Sequence, residues 1–77
     1  MNNVKKYYYM MIDSKTKTFA GFAIYEQDMP EKPDDGVWFS IKITEDDYNM
    51  YLQALKDNKE IYVDDDGKIQ TRYKLKE

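Results

Sequence analysis

Two apolar runs open the chain. Residues 7–12 read Tyr-Tyr-Tyr-Met-Met-Ile and residues 19–25 read Phe-Ala-Gly-Phe-Ala-Ile-Tyr. Both are rich in aromatic residues and suited to strands. The polar segment between them, residues 13–18, begins with Asp13 and Ser14, whose side chains bond their own backbone two residues on. A hairpin over residues 6–25 is expected, with Gly21 marking a bulge or a close packing contact. Residues 27–36 carry Pro30, Pro33 and the turn triplet Asp34-Asp35-Gly36, so this stretch reads as a loop. Residues 37–43 alternate strictly. Val37, Phe39, Ile41 and Ile43 point one way, and Trp38, Ser40 and Lys42 point the other.

A helix is expected over residues 45–57. Thr44 suits the N-cap, and Glu45, Asp46 and Asp47 fill a first turn that favours negative charge. Tyr48, Tyr51, Leu52 and Leu55 form one stripe at i, i+3, i+4 and i+7. Lys56, Asn58 and Lys59 suit the other end. Residues 61–74 then read as a second hairpin, turning at Asp64-Asp65-Asp66-Gly67 with Gly67 supplying the positive φ. The resulting order, β-β-β-α-β-β, implies an α+β fold in one small domain over residues 1–77, a mostly antiparallel sheet with one helix on one face.

Composition narrows the chemistry. Leu, Ile, Val and Phe make up 15 of the 77 residues, about 19%, and 8 Tyr, 5 Met and 1 Trp supply the apolar mass that this leaves short. There is no Cys and no His, which removes disulfides, thiolate metal sites and the usual proton shuttle. No apolar run approaches the roughly 18 residues of a membrane span. The first apolar run is too short and too aromatic for a signal peptide, so a cytosolic setting without membrane contact is expected. Net charge is −3 overall but +3 over residues 1–24 and −6 over residues 26–47. The acidic middle argues against direct binding to nucleic acid, whose phosphates would repel it.

The chemistry-bearing motifs mostly have plain explanations. The acids of Asp64-Asp65-Asp66-Gly67 are consecutive, and Tyr73 stands where a calcium loop needs its bidentate Glu, so no metal site is expected. Glu45, Asp46 and Asp47 point about 100° apart along a helix and cannot converge on one bond. No catalytic residue and no cofactor is expected. Tyr7, Tyr8 and Tyr9 alternate faces, so they make no stacking platform for single strands.

What is left is surface. Trp38 shares its strand face with Ser40 and Lys42, which makes it either an interface anchor or a side chain covered by the 27–36 loop. Tyr8, Tyr25 and Tyr62 are further candidates for a protein interface. Glu26, Asp28, Glu31, Asp34 and Asp35 are candidates for an acidic surface, either solubilising charge or a phosphate mimic for a nucleic-acid groove.

Ile43-Thr44-Glu45-Asp46-Asp47-Tyr48, the helix through Leu55, and Lys59-Glu60-Ile61-Tyr62-Val63 leading into Asp64-Asp65-Asp66-Gly67-Lys68 resemble the small tail-fibre assembly proteins of tailed bacteriophages, mainly over residues 43–69. In that group a capped helix start of this kind precedes a short helix and a hairpin. Here Asn58 stands in place of the usual Gly, and Ile69 where a Pro often follows the turn. The resemblance implies a phage or prophage origin, the cytoplasm of the bacterial host as the setting, and a non-enzymatic, protein-binding role on a fibre or tail protein. A small acidic inhibitor of a bacterial defence nuclease, of the anti-CRISPR kind, is the alternative. A homo-oligomeric structural protein is the second.

Overall fold

The computed structural model describes residues 4–74. Its elements are β1 (Tyr7–Asp13), β2 (Phe19–Tyr25), β3 (Trp38–Ile43), α1 (Glu45–Lys56), β4 (Lys59–Val63) and β5 (Ile69–Tyr73). The fold is α+β in the expected order, with every strand pair antiparallel. The strands divide, however, into two sheets, β2-β1-β3 and β4-β5. They are joined where Thr18 bridges Tyr62 and the Val63 N–H donates to the Lys17 carbonyl at 2.8 Å. The pairing does not propagate along β2, because the register shift opposite Met11 and Ile12 leaves Ala20 as an extra residue and interrupts the ladder. Gly21 lies at that shift, and a Cβ there would come within 2.9 Å of the Met11 side chain, so both expected roles of this glycine are met.

Local chemistry sets the turns. The Asp13 carboxylate accepts the N–H groups of Lys15 and Thr16, and Asp64 does the same for Asp66 and Lys68. Gly67 takes φ 79° in the second turn. The Thr44 hydroxyl accepts the Asp47 N–H at 3.1 Å, and Asn58 adopts φ 63° just after the helix. β3 begins one residue later than the alternation suggests, since Val37 is exposed. Among the described residues no helix is long and apolar enough to cross a membrane.

The main core lies between α1, the β4–β5 hairpin and one face of the three-stranded sheet. Met10, Ile12, Ile43, Tyr51, Ile61 and Val63 are buried there. The helix stripe is rotated slightly from its expected place. Tyr51 and Ala54 are its buried residues, whereas Tyr48, Leu52 and Leu55 are half-buried. The shift follows from α1 packing more on β4 than on β1.

Candidate protein-binding site

The other face of the three-stranded sheet is closed by the acid-rich loop. Alternate residues of an antiparallel strand turn their N–H and C=O to opposite sides. Phe39, Ile41 and Ile43 face β1, so Trp38, Ser40 and Lys42 turn outward on β3. The loop satisfies each of these. The Ser40 N–H donates to the Lys32 carbonyl at 3.0 Å, and the Lys32 N–H returns a bond to the Ser40 hydroxyl at 2.7 Å. The Lys42 N–H donates to the Glu31 carboxylate at 2.7 Å. The Trp38 N–H donates to Asp35 at 3.0 Å, while the Trp38 carbonyl accepts from the Lys32 ammonium at 2.8 Å.

Tyr9 is the second anchor. Its ring lies on the loop side of β1 and is 2% exposed. Its hydroxyl accepts the Met29 N–H at 2.8 Å and donates to the Met29 carbonyl at 2.5 Å. One side chain thus holds both polar groups of a single loop residue.

The carboxylates are fasteners in this arrangement. Asp35 forms an ion pair with Lys32 at 2.8 Å and accepts the Val37 and Trp38 N–H groups. Lys32 first, and those amides after it, hold its carboxyl far below the usual range. Asp34 accepts the Ser14 hydroxyl, the Gly36 N–H and, at 3.4 Å, the Lys17 ammonium. The Ser14 hydroxyl is the largest cause of its lowered pKa, followed by the Gly36 N–H. Asp28 is bonded to the Lys42 ammonium, which raises the Lys42 pKa. Of the five acids read as a charged surface, only Glu26 makes no hydrogen bond or ion pair among the described residues.

These bonds set an acid limit. Asp34 and Asp35 bind protons less readily folded than unfolded, as does Asp13 through the Thr16 and Lys15 N–H groups. Their stabilisation is therefore complete above the ordinary carboxylate value of 3.8 and is lost as pH falls through the lower native values. The melting temperature should hold down to about pH 5 and fall steadily toward about pH 2. Trp38 emission should change with it, because the Lys32 ammonium lies 4.4 Å from the ring centroid. A melting temperature that stays flat to pH 2 would contradict this role.

Where the loop stops short of β2, a cleft of about 150 Å³ opens. Tyr9, Met11, Ala23, Tyr25, Met29 and Trp38 line it. Tyr25 and Met29 form its outer lip, 47% and 41% exposed, and Tyr25 meets Tyr9 edge-on at 5.6 Å. Trp38 is half-buried, so the loop covers it in part while one side still faces the cleft. Two of the four aromatic candidates, Trp38 and Tyr25, therefore come together.

Tyr8 and Tyr62 do not join them. Tyr8 faces the helix, stacks on Tyr48 at 4.9 Å and bonds Glu45, and desolvation is the first cause of its raised pKa. Tyr62 lies on β4 beneath the Arg72 guanidinium, 4.1 Å from the ring centroid. Tyr9, Met29 and Lys32 were missed as site residues. The signal for Tyr9 was present: residues 7–12 show no polar alternation, as suits a strand covered on both faces.

A broader groove of about 660 Å³ runs between Phe39, Ile41 and Val63, beside the β4–β5 turn. Several of its rim charges, Lys17, Asp34 and Asp64, already bond within the chain. Comparison with protein-family models, curated proteins and solved structures finds no match to the chain.

Proposed function

We propose that the chain is a non-catalytic protein-binding module. Its site is the cleft between Trp38, Tyr25 and Met29, into which a partner inserts one apolar side chain. The observation that carries this reading is the cleft itself: an apolar pocket of side-chain size, about 150 Å³, with an aromatic floor and an exposed lip. The loop that builds it is fixed by bonds to β1 and β3, so little ordering is needed on binding.

The acidic-decoy reading finds less support. Asp28, Glu31, Asp34 and Asp35 are engaged in holding the loop. The resemblance over residues 43–69 makes a phage tail or fibre protein the first partner to try.

Pull-down followed by calorimetry against such proteins tests the reading. Tyr25→Asp and Met29→Asp, both at exposed positions, should weaken binding by about 10- to 100-fold, whereas Tyr62→Asp on the far hairpin should leave it within about twofold. A partner that binds Tyr25→Asp and Met29→Asp as tightly as the parent would overturn it.

A further inference from the structure

The two outer edges of the three-stranded sheet are treated differently. On β3 the outward N–H groups of Trp38, Ser40 and Lys42 are all taken by the loop. On β2 nothing comparable exists among the described residues. Tyr25, Ala23 and Gly21 stand opposite Tyr7, Tyr9 and Met11, the β1 residues that turn away from β3. Phe22 and Ile24 therefore turn their N–H and C=O groups outward. No described residue bonds to them there, because β4 reaches only Thr18 before the two sheets part.

An open edge is normally protected by charge, proline or a covering segment. Among the described residues β2 has none of these. Its seven residues include no charged side chain and no proline, and Ile24 is 44% exposed. The residues flanking it are charged in opposite senses. Lys15 and Lys17 precede β2, and Glu26 and Asp28 follow it. Lys15 and Glu26 are exposed and in no ion pair among the described residues.

We propose that β2 pairs with β2 of a second copy of this chain, antiparallel about a two-fold axis at Ala23. That register sets Phe22 opposite the partner's Ile24, so each copy donates and accepts through both outward residues. Ala23 meets its own counterpart at the axis, where the approach is closest and a small side chain fits. Tyr25 lies over the partner's Gly21, a favourable pairing of an aromatic ring with a bare glycine. Only residues 21–25 are needed, which is the stretch that β4 leaves open.

Charge selects the same geometry. Lys17 and Asp28 are paired toward β3, with Asp34 and Lys42, so the free charges are Lys15 and Glu26. Antiparallel pairing turns the Glu26 end of each β2 toward the Lys15 end of the other, whereas parallel pairing would set like ends together. A second copy supplies this complement without any further feature. The dimer shares Ala23 and Tyr25 with the rim of the cleft, but its hydrogen bonds run through Phe22 and Ile24, which do not line it, so Ile24→Pro tests the pairing apart from the cleft.

Sedimentation or light scattering of the full chain from about 10 µM to 1 mM tests it. The expected result is a mass rising toward twice 9.3 kDa. Ile24→Pro removes one outward donor and leaves the bonds to β1 intact, so it should raise the dissociation constant by about 10- to 100-fold. Circular dichroism would verify that the variant is folded. Ile24→Lys keeps every backbone donor and puts a charge on the open edge beside the partner's Phe22, so it should also weaken the dimer, and it decides the matter if Ile24→Pro does not fold. A monomer throughout the range overturns the proposal. So does a dimer indifferent to Ile24→Pro, or, where that variant is unfolded, to Ile24→Lys.

Discussion

Tyr9→Ala is expected to lower the unfolding free energy by about 4 kcal/mol. Truncating a fully buried aromatic ring removes its transfer energy and leaves a cavity between β1 and the loop. It also deprives the Met29 N–H and carbonyl of their common partner. Tyr9→Phe separates the two contributions. It keeps the ring and removes the hydroxyl, and should cost about 1–2 kcal/mol. A chain of this length has roughly 4–12 kcal/mol in total, so Tyr9→Ala could consume most of it. Urea unfolding followed by Trp38 fluorescence gives both values. If Tyr9→Ala cost no more than an ordinary surface change, about 0.5 kcal/mol, the loop would not be held as described.

Ile61→Ala should have the second-largest effect, about 3 kcal/mol. Ile61 is 1% exposed and lies in the core shared by α1, β4 and the β1 face. Because the two sheets meet through one bridge and the Val63–Lys17 bond, side-chain packing does most of the work of holding the hairpin in place. The loss should therefore appear unevenly. Amides of β4 and β5 should exchange faster in Ile61→Ala, while those between β1 and β3 keep more of their protection. Uniform loss of protection across both sheets would contradict that division.

The helix was legible because its signals are local. Thr44, the acidic first turn, the apolar stripe and Asn58 all lie within a short span, and the structure uses each of them. Both hairpins were legible for the same reason, through Asp13, Asp64 and Gly67 at their turns. The two-sheet division was not, since it depends on where β4 lands against Thr18 and on a bulge at Ala20. The site was half legible. Strand alternation placed Trp38 away from the helix, and two alternatives for its surroundings stood side by side. Choosing between them requires the bonds Tyr9–Met29, Ser14–Asp34 and Lys42–Glu31, which join residues 20, 20 and 11 positions apart. No local periodicity encodes these. The acids of the loop were legible in part for a related reason: all five lie exposed, as their number suggested, whereas the backbone N–H groups and lysines that four of them bind appear only after folding.

The central claim is that the 28–36 segment closes the β3 edge and builds the cleft, while the β2 edge is left open. Residue-resolved amide hydrogen exchange measures both at once. At low concentration Trp38, Ser40 and Lys42 should be protected, although no strand lies beyond them, and Phe22 and Ile24 should exchange fast. Raising the concentration should slow Phe22 and Ile24 alone. Fast exchange at Trp38, Ser40 and Lys42 in the intact chain would contradict the account.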